Sequence, residues 1–320
     1  MCTAISYIGA KGHYFGRNLD LTFCYQEQVT VTPRNYGFRF RTGYGFRHHY
    51  AMLGMATVAN GYPLYYEATN ELGLSMAGLN FPDNAQYQHK LIGKQNIAPF
   101  ELIPWILGQC ANVREAKSVL QNVNIWNLPF SREFGLTPLH WLISDGEDSI
   151  VAEPMEDGLK IYDNPFGILT NNPPLPYHLT NLSNYIGLSP SQAENTFSKK
   201  KLVPYSNGMG AMGLPGDYSS ASRFIKAAFV KENAVSCGDD VGQFFHILGS
   251  VAMPRGNVKI GELDEITQYS CCCDTKRGIY YYTTYENSRI TAVKLWDCPL
   301  LSDQLITYPL RKAEDIRFEN

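Results

Sequence analysis

Short β-branched and aromatic segments fall into three blocks separated by two pairs of helical segments, and this segregation limits the possible fold more than any other feature of the sequence. From Met1 to Tyr7 polar and apolar residues alternate, as they do along a half-buried strand. Further strand-like segments are read at residues 14–16, 28–32, 51–58, 74–77, 140–144, 149–153, 167–170, 267–273 and 278–285, bounded by Gly, Asn, Asp and Pro. Turn chemistry stands at Asn60-Gly61, Asp145-Gly146 and Asp157-Gly158. Helical periodicity predicts residues 99–109 and 113–122 as one pair and 220–231 and 239–251 as another. In the 220–231 segment Ala221, Phe224, Ile225, Ala228 and Phe229 form a core-facing stripe, preceded by cap chemistry at Asp217, Ser219 and Ser220. Strand runs and helix runs kept apart argue for α+β layering over a doubly wound sheet. Two sheets packed together with helices outside would bury these faces.

The 320 residues suit one large domain or two small ones, and 44% hydrophobic with 18% charged residues is ordinary globular composition. A net charge of −3 lacks the electrostatic footprint of a nucleic-acid binder. The one basic run, Arg34, Arg39, Arg41 and Arg47 with His48 and His49, is interleaved with Tyr and Phe and reads as an edge hairpin with a solvated face. The start of the chain has neither the basic nor the apolar region of a secretory leader, and no stretch is apolar enough for a membrane span, so a cytoplasmic protein is expected. Of eight cysteines, Cys271, Cys272 and Cys273 are consecutive and the rest scattered. That spacing suits neither a disulfide framework nor a zinc knuckle; buried thiols on a strand are expected, and no metal site.

The position of Cys2 directly after Met1 gives it chemical significance. Removing an initiator Met would leave Cys2 with a thiol and a free α-amine, whose ordinary pKa of about 7.7–8.0 suits a base near neutrality. Nucleophile and base would then share one residue, and no catalytic His is needed. Phe15-Gly16-Arg17-Asn18-Leu19-Asp20 reads as the hairpin partner of the first strand. A guanidinium from Arg17 near the sulfur would favour thiolate, and the Asp20 carboxylate would orient the amine. A surface Arg–Asp pair in a turn has the same spacing, and the spacing alone leaves both open.

Five motifs then occur in order: Met1-Cys2-Thr3, Gly16-Arg17-Asn18-Leu19-Asp20, Ala77-Gly78-Leu79-Asn80-Phe81-Pro82, Leu169-Thr170-Asn171-Asn172-Pro173, and Gly213-Leu214-Pro215-Gly216-Asp217 through Ser222-Arg223-Phe224. With Leu139-His140-Trp141 and Gly278-Ile279-Tyr280-Tyr281-Tyr282, they make the chain resemble the choloylglycine hydrolase family over nearly its whole length. This is the family of bile salt hydrolases and penicillin V acylases within the N-terminal-nucleophile superfamily. The resemblance implies a single domain over residues 1–320 with a four-layer αββα fold, and a cofactor-free thiol amidase. By motif position it implies Cys2 as nucleophile, with Arg17 and Asp20 poising its thiol and amine. Asn171 matches the side-chain donor of the oxyanion hole, and Asn80 the residue whose backbone N–H is the other donor. Arg223 matches a second guanidinium near the thiol. Its helical phase, off the apolar stripe and in the first turn, agrees. Asn80, Asn171 and Asn172 would equally suit polar turns.

In the penicillin V acylase branch the position of Asn80 is commonly Tyr, so the resemblance favours glycine- or taurine-conjugated bile salts. A steroid needs an apolar groove, and Leu19, Tyr25, Leu128, Phe130 and Leu136, in loop-like segments, are expected to line it, though ordinary core or scattered surface positions would explain them too. The rivals are a penicillin V acylase or other N-acyl amide hydrolase, and a non-catalytic sterol or lipid binder on the same fold. The binder would be expected to lack Cys2 or Asp20. Residues 189–213, polar and Lys-rich and then Gly- and Met-rich, are expected to form an arm that assembles a homo-oligomer, a tetramer as the resemblance implies.

Overall fold

In the computed structural model, which describes residues 1–320, the alternation at the N-terminus becomes the strand Cys2–Ile8. It pairs antiparallel with His13–Leu21, so that Cys2 lies opposite Leu19 and Ala4 opposite Arg17. These two strands belong to a six-stranded sheet in the order Ile168–Leu169, Cys2–Ile8, His13–Leu21, Ile266–Asp274, Ile279–Thr284, Thr291–Lys294. An eight-stranded sheet runs Gly158–Asp163, Ser149–Met155, Leu139–Ser144, Ser75–Asn80, Tyr62–Asn70, Met52–Ala59, Gln28–Thr32, Ile306–Pro309.

The two-residue period of each strand sorts the core into layers. Leu53, Leu142 and Val151 of the larger sheet join Ala4, Phe15 and Leu19 of the smaller one between the sheets. Their neighbours Met52, Trp141, Ile143 and Ala152 face the other way, onto α1 (Leu102–Leu107) and α2 (Val113–Leu120). On the outer side of the smaller sheet lie α3 (Leu175–Asn181), α4 (Ser220–Glu232) and α5 (Asp240–Gly249), contributing Leu175, Phe224, Ala227, Phe244 and Ile247. The order helix, sheet, sheet, helix is the expected αββα stack. Because both faces of the smaller sheet are covered, Cys271, Cys272 and Cys273 are all buried. Gly16 lets the inner strands close up: a Cβ there would sit 1.9 Å from the Cys271 carbonyl oxygen. Asn60-Gly61 turns with positive φ at both residues, 51° and 74°, as a two-residue hairpin requires.

Several expectations need correction. The strand expected at residues 14–16 runs over His13–Leu21, which carries Arg17, Leu19 and Asp20 within regular structure. The helix expected at residues 99–109 is a 3₁₀ turn, Pro99–Glu101, followed by the six residues of α1. Strands Tyr62–Asn70, Gly158–Asp163, Thr291–Lys294 and Ile306–Pro309, and helix α3, were not anticipated. Tyr62–Asn70 contains Pro63, Glu67 and Asn70, which break a strand pattern unless tertiary partners satisfy them. In α4 the buried face is Arg223, Phe224, Ile225, Ala227 and Ala228, rotated from the expected stripe. Its cap is as expected: Ser219 accepts from Ser222 N–H, and Asp217 accepts from Ser219 N–H at 2.9 Å. The basic run forms a separate hairpin, Phe38–Arg39 with Gly45–Phe46, with Phe38 and Phe40 buried and Arg39, Arg41 and Arg47 in solvent. No helix is long and apolar enough to cross a membrane.

Candidate active site

Strand alternation divides the groups around Cys2 between two faces. Cys2, Arg17 and Leu19 face the larger sheet, and all three line one cleft. Thr3 and Asn18 face the helices: Asn18 Nδ2 donates to Leu248 O of α5 at 2.9 Å, and Thr3 Oγ1 accepts from Arg223 of α4 at 2.7 Å. Asp20 closes the row at the strand end, beside the chain terminus. Arg17, Asp20 and Arg223 have no solvent exposure, which excludes the surface-pair reading of Arg17 and Asp20.

Arg17 reaches across the interface to where two strands of the larger sheet separate. Pairing between Tyr62–Asn70 and Ser75–Asn80 ends at Glu67↔Ala77, and Tyr66 is bulged out of its ladder with Met52–Ala59. Arg17 Nη1 fills the gap, donating to Gly78 O at 2.6 Å and Tyr66 O at 3.2 Å. Behind it sits the buried Glu67, with Arg17 Nε at 3.8 Å from Oε2. Tyr269 and Tyr280 hydroxyls donate to the two Glu67 oxygens at 2.7 and 2.6 Å. Burial opposes the charge on Arg17, yet Cys2, Tyr269 and Glu67 outweigh it and raise its pKa. Burial pushes Glu67 up, with Arg17 and the two tyrosines opposing.

At the other side of Cys2 the partners converge on main chain. Cys2 N–H donates to Asn171 Oδ1 at 3.0 Å, and Arg223 Nη2 donates to the same oxygen at 2.6 Å. Arg223 Nη1 also donates to Cys2 O, and Nε to Tyr218 O at 2.9 Å. With Oδ1 so engaged, the Asn171 amide nitrogen must point the other way, and it donates to Asn80 O at 2.6 Å. That leaves its second hydrogen without an acceptor in the protein. Asn80 stands beyond the last residue paired with Tyr62–Asn70. Because Phe81 N–H donates to Pro138 O and Leu139 N–H to Tyr87 Oη, the Asn80 N–H is directed away from strand Leu139–Ser144.

Asp20 lies beside the amine end of the chain. Its N–H donates to Met1 O at 3.1 Å, its own carbonyl accepts from the Met1 ammonium at 2.9 Å, and Glu265 also contacts that ammonium. Thr267 Oγ1 donates to Asp20 Oδ1 at 2.6 Å, across a bulge at Gln268 where strand Ile266–Asp274 slips register against His13–Leu21. Asp20 Oδ2 is buried without a partner. Burial raises the Asp20 pKa, while Arg223, the terminal amine, Thr267 and Arg17 pull it down. Burial lowers the pKa of the Met1 amine.

The cleft that opens from Cys2 has a volume of about 340 Å³, and thirteen of its twenty-two lining residues are hydrophobic. Leu19, Tyr25, Leu128, Phe130 and Leu136 all line it, together with Asn80. Leu19 is in the strand His13–Leu21 rather than in a loop. Phe130 packs edge-on against Phe100 with centroids 5.2 Å apart, and Arg41 Nη2 donates to Phe130 O at 3.0 Å. Thus Arg41, read from sequence only as part of a solvated hairpin, also pins a cleft loop.

Asn172 faces away from Cys2, donating to Pro82 O and, at 2.7 Å, to Asn84 Oδ1. Sequence reasoning did not single out Glu67, Thr267, His140, Glu153 or His178, which surround the predicted residues. The available signal was a charged residue inside a strand-like run, as at Glu67 and Glu153, and the His in Leu139-His140-Trp141. No group of three or more His, Cys, Asp or Glu residues is arranged to hold a metal.

The family model described as linear amide C–N hydrolases, choloylglycine hydrolase family, matches residues 2–308. The chain is 51% identical to a bile salt hydrolase/transferase from Lactiplantibacillus plantarum over 316 residues, 97% of each chain. It is 39% identical to a conjugated bile acid hydrolase from Lactobacillus gasseri, covering 96% of this chain and all of that one. In structure it matches a variant of the conjugated bile acid hydrolase from Clostridium perfringens with a TM-score of 0.94 at 36% identity, both chains fully covered. Penicillin V acylase from Agrobacterium tumefaciens matches with a TM-score of 0.76 at 18% identity over 97% of this chain and 92% of that one, a likeness of fold.

Proposed function

The chain belongs to the choloylglycine hydrolase family of linear amide C–N hydrolases, and from that membership we propose that it hydrolyses glycine- or taurine-conjugated bile salts with Cys2 as the nucleophile. Most support comes from the convergence on Cys2 of Arg17, Asn171 and Arg223 at one end of an apolar cleft. Removal of Met1 leaves a free amine on Cys2, and the unpartnered Asp20 Oδ2 is an acceptor available to orient it. The ordinary pKa of an α-amine, about 7.7–8.0, already lies in the working range of a base. The sulfur attacks the amide carbonyl. The free Asn171 Nδ2 hydrogen and the Asn80 N–H stabilise the oxyanion, and the amine passes its proton to the leaving nitrogen. Water then releases the bile acid from the thioester. Arg17 favours thiolate, and Arg223 holds the Cys2 carbonyl and Asn171. The cleft is the steroid site, with Leu19, Tyr25, Leu128, Phe130 and Leu136 as its apolar contacts.

Residues 1–320 are taken as one domain, since the larger core draws on both sheets. Eight unpaired thiols suit a cytoplasmic protein. The arm at residues 189–213 is assigned to assembly of a homotetramer. Phe197, Val203 and Tyr205 are 89, 68 and 84% exposed there, apolar surface that a partner copy would cover.

The test is incubation with glycocholate, taurocholate and penicillin V, for wild type and Cys2→Ala. Wild type is expected to release glycine or taurine faster than it cleaves penicillin V, and Cys2→Ala to be inactive yet folded. An alanine variant keeping about a tenth of the rate, a loss of only ~1.4 kcal/mol, would rule the sulfur out as nucleophile. Faster cleavage of penicillin V would favour the acylase reading.

A further inference from the structure

His140 and Glu153 stand opposite each other on adjacent strands of the larger sheet, next in register after Trp141↔Ala152. Both have no solvent exposure, and neither touches Cys2, Arg17 or the cleft. The imidazole is held face-on by Phe81, with ring centroids 4.1 Å apart and planes 7° from parallel. Its Nδ1 is 3.1 Å from Glu153 Oε1 and its Nε2 3.1 Å from Thr170 O. A carbonyl oxygen can only accept, so Nε2 carries a hydrogen. The second contact is satisfied by an imidazolium against a carboxylate, or by a neutral ring against a protonated carboxyl; Nε2 donates to Thr170 O in both. Glu153 Oε1 also accepts from Leu175 N–H at 3.1 Å, at the start of α3. The pair therefore grips the chain on both sides of Asn171.

The rest of this turn is also held by side chains, although His178 Nδ1 and Glu153 Oε2 are buried without partners. His178, stacked on Phe224, has its Nε2 at 3.0 Å from Asn171 O. Ser220 Oγ accepts from Asn171 N–H at 2.9 Å and lies 3.0 Å from Thr170 Oγ1. Two imidazoles thus take two consecutive carbonyls, at Thr170 and Asn171. Of the two imidazoles, only His140 comes from the larger sheet, so its bond crosses the interface to the end of a strand of the smaller one. Burying two ionisable side chains costs free energy, and hydrophobic residues of similar volume often give as much stability or more. A role in positioning accounts for a buried pair at this place.

We propose that His140 and Glu153 are positioning residues that fix the Thr170–Asn171 main chain, and through it the Asn171 amide that faces the developing oxyanion. The inference rests on the reading of Asn171 as an oxyanion donor. The pair sets where the Asn171 donor lies and has no part in the reactivity of the thiol.

The test is a double-mutant cycle. Glu153→Gln keeps an acceptor for Leu175 N–H but replaces the carboxyl that meets His140 Nδ1, and is expected to lower kcat tenfold to about a hundredfold with KM little changed. In an Asn171→Ala background the same substitution should cost nothing further. The rate of Cys2 alkylation by iodoacetamide should stay at its wild-type value. His140→Gln, which keeps an N–H near the position of Nε2, should retain more activity than His140→Leu. If Glu153→Gln does not fold, His140→Gln with Glu153→Gln replaces both ionisable groups together and takes its place in the cycle. Additive losses in the Asn171→Ala background, or wild-type kcat in these variants, would overturn the inference while leaving Asn171 its role. If Asn171→Ala itself leaves kcat unchanged, the reading of Asn171 falls and the positioning role falls with it.

Discussion

Behind Cys2 the side chains of Arg17, Asp20, Thr170 and Arg223 have no solvent exposure, whereas in front of it Tyr25 and Leu136 remain 39 and 41% exposed. The rear wall is polar and bonded in several directions: Arg223 alone holds the Cys2 carbonyl, Thr3, Asn171 and Tyr218. The front wall is apolar and rests on aromatic packing, such as Phe23 on Tyr25 at 4.6 Å. A buried polar group left without its partner costs about 1–3 kcal/mol, so changes in the rear wall propagate to every neighbour. An exposed apolar side chain loses only part of the ~25 cal/mol per Å² that burial supplies, so the front wall tolerates exchange. Chemistry is therefore expected to be intolerant of substitution, and substrate choice adjustable.

Asn171→Ala tests the rear wall most severely short of removing the nucleophile. In the role proposed for Asn171, loss of one oxyanion donor costs about 10²–10³ in kcat, and KM should change little. Asn172→Ala, whose amide faces Pro82 and Asn84, should do much less. Equal losses at the two positions, measured by steady-state kinetics on glycocholate, would break the distinction between them.

For the front wall, Leu136→Ala should raise KM for glycocholate about tenfold, the ~1.5 kcal/mol of one apolar contact, and leave kcat near wild type. A fall in kcat with constant KM would place Leu136 with the rear wall. The arm at residues 189–213 extends the same contrast to the surface, since its exposed apolar residues have no partner within the chain. Replacing residues 190–201 by a Gly-Ser turn should shift the protein to smaller species in sedimentation, with the smallest change in activity of the three. Sedimentation identical to wild type would show that any assembly is held elsewhere.

Much of the frame is legible along the chain because it depends on local periodicity. Alternation from Cys2 to Tyr7, the Asn60-Gly61 turn and the helical pairs each need only neighbours in sequence, and the layered order follows from their segregation. Cys2 and the Arg17–Asp20 run stand out for the same reason: position and spacing are sequence properties. Tyr62–Asn70 was not legible, because Glu67 inside it is tolerated only when Arg17, Tyr269 and Tyr280 arrive from the other sheet. The bulges at Tyr66 and Gln268 leave no periodic trace, yet they accompany the gap that Arg17 fills and the approach of Thr267 to Asp20.

Sequence by itself settled the strand-rich layered architecture, the nucleophile candidate and the family, since periodicity, terminal position and ordered motifs are carried by the chain alone. Only the tertiary structure decided which charges are buried, which way the Asn171 amide is turned, and that His140 and Glu153 meet beside Thr170. The physical reason is that a polar group is sheltered or stranded according to partners that come from distant strands. His140 and Thr170 are thirty residues apart, one in the larger sheet and the other just past a strand of the smaller, and no local pattern records their meeting.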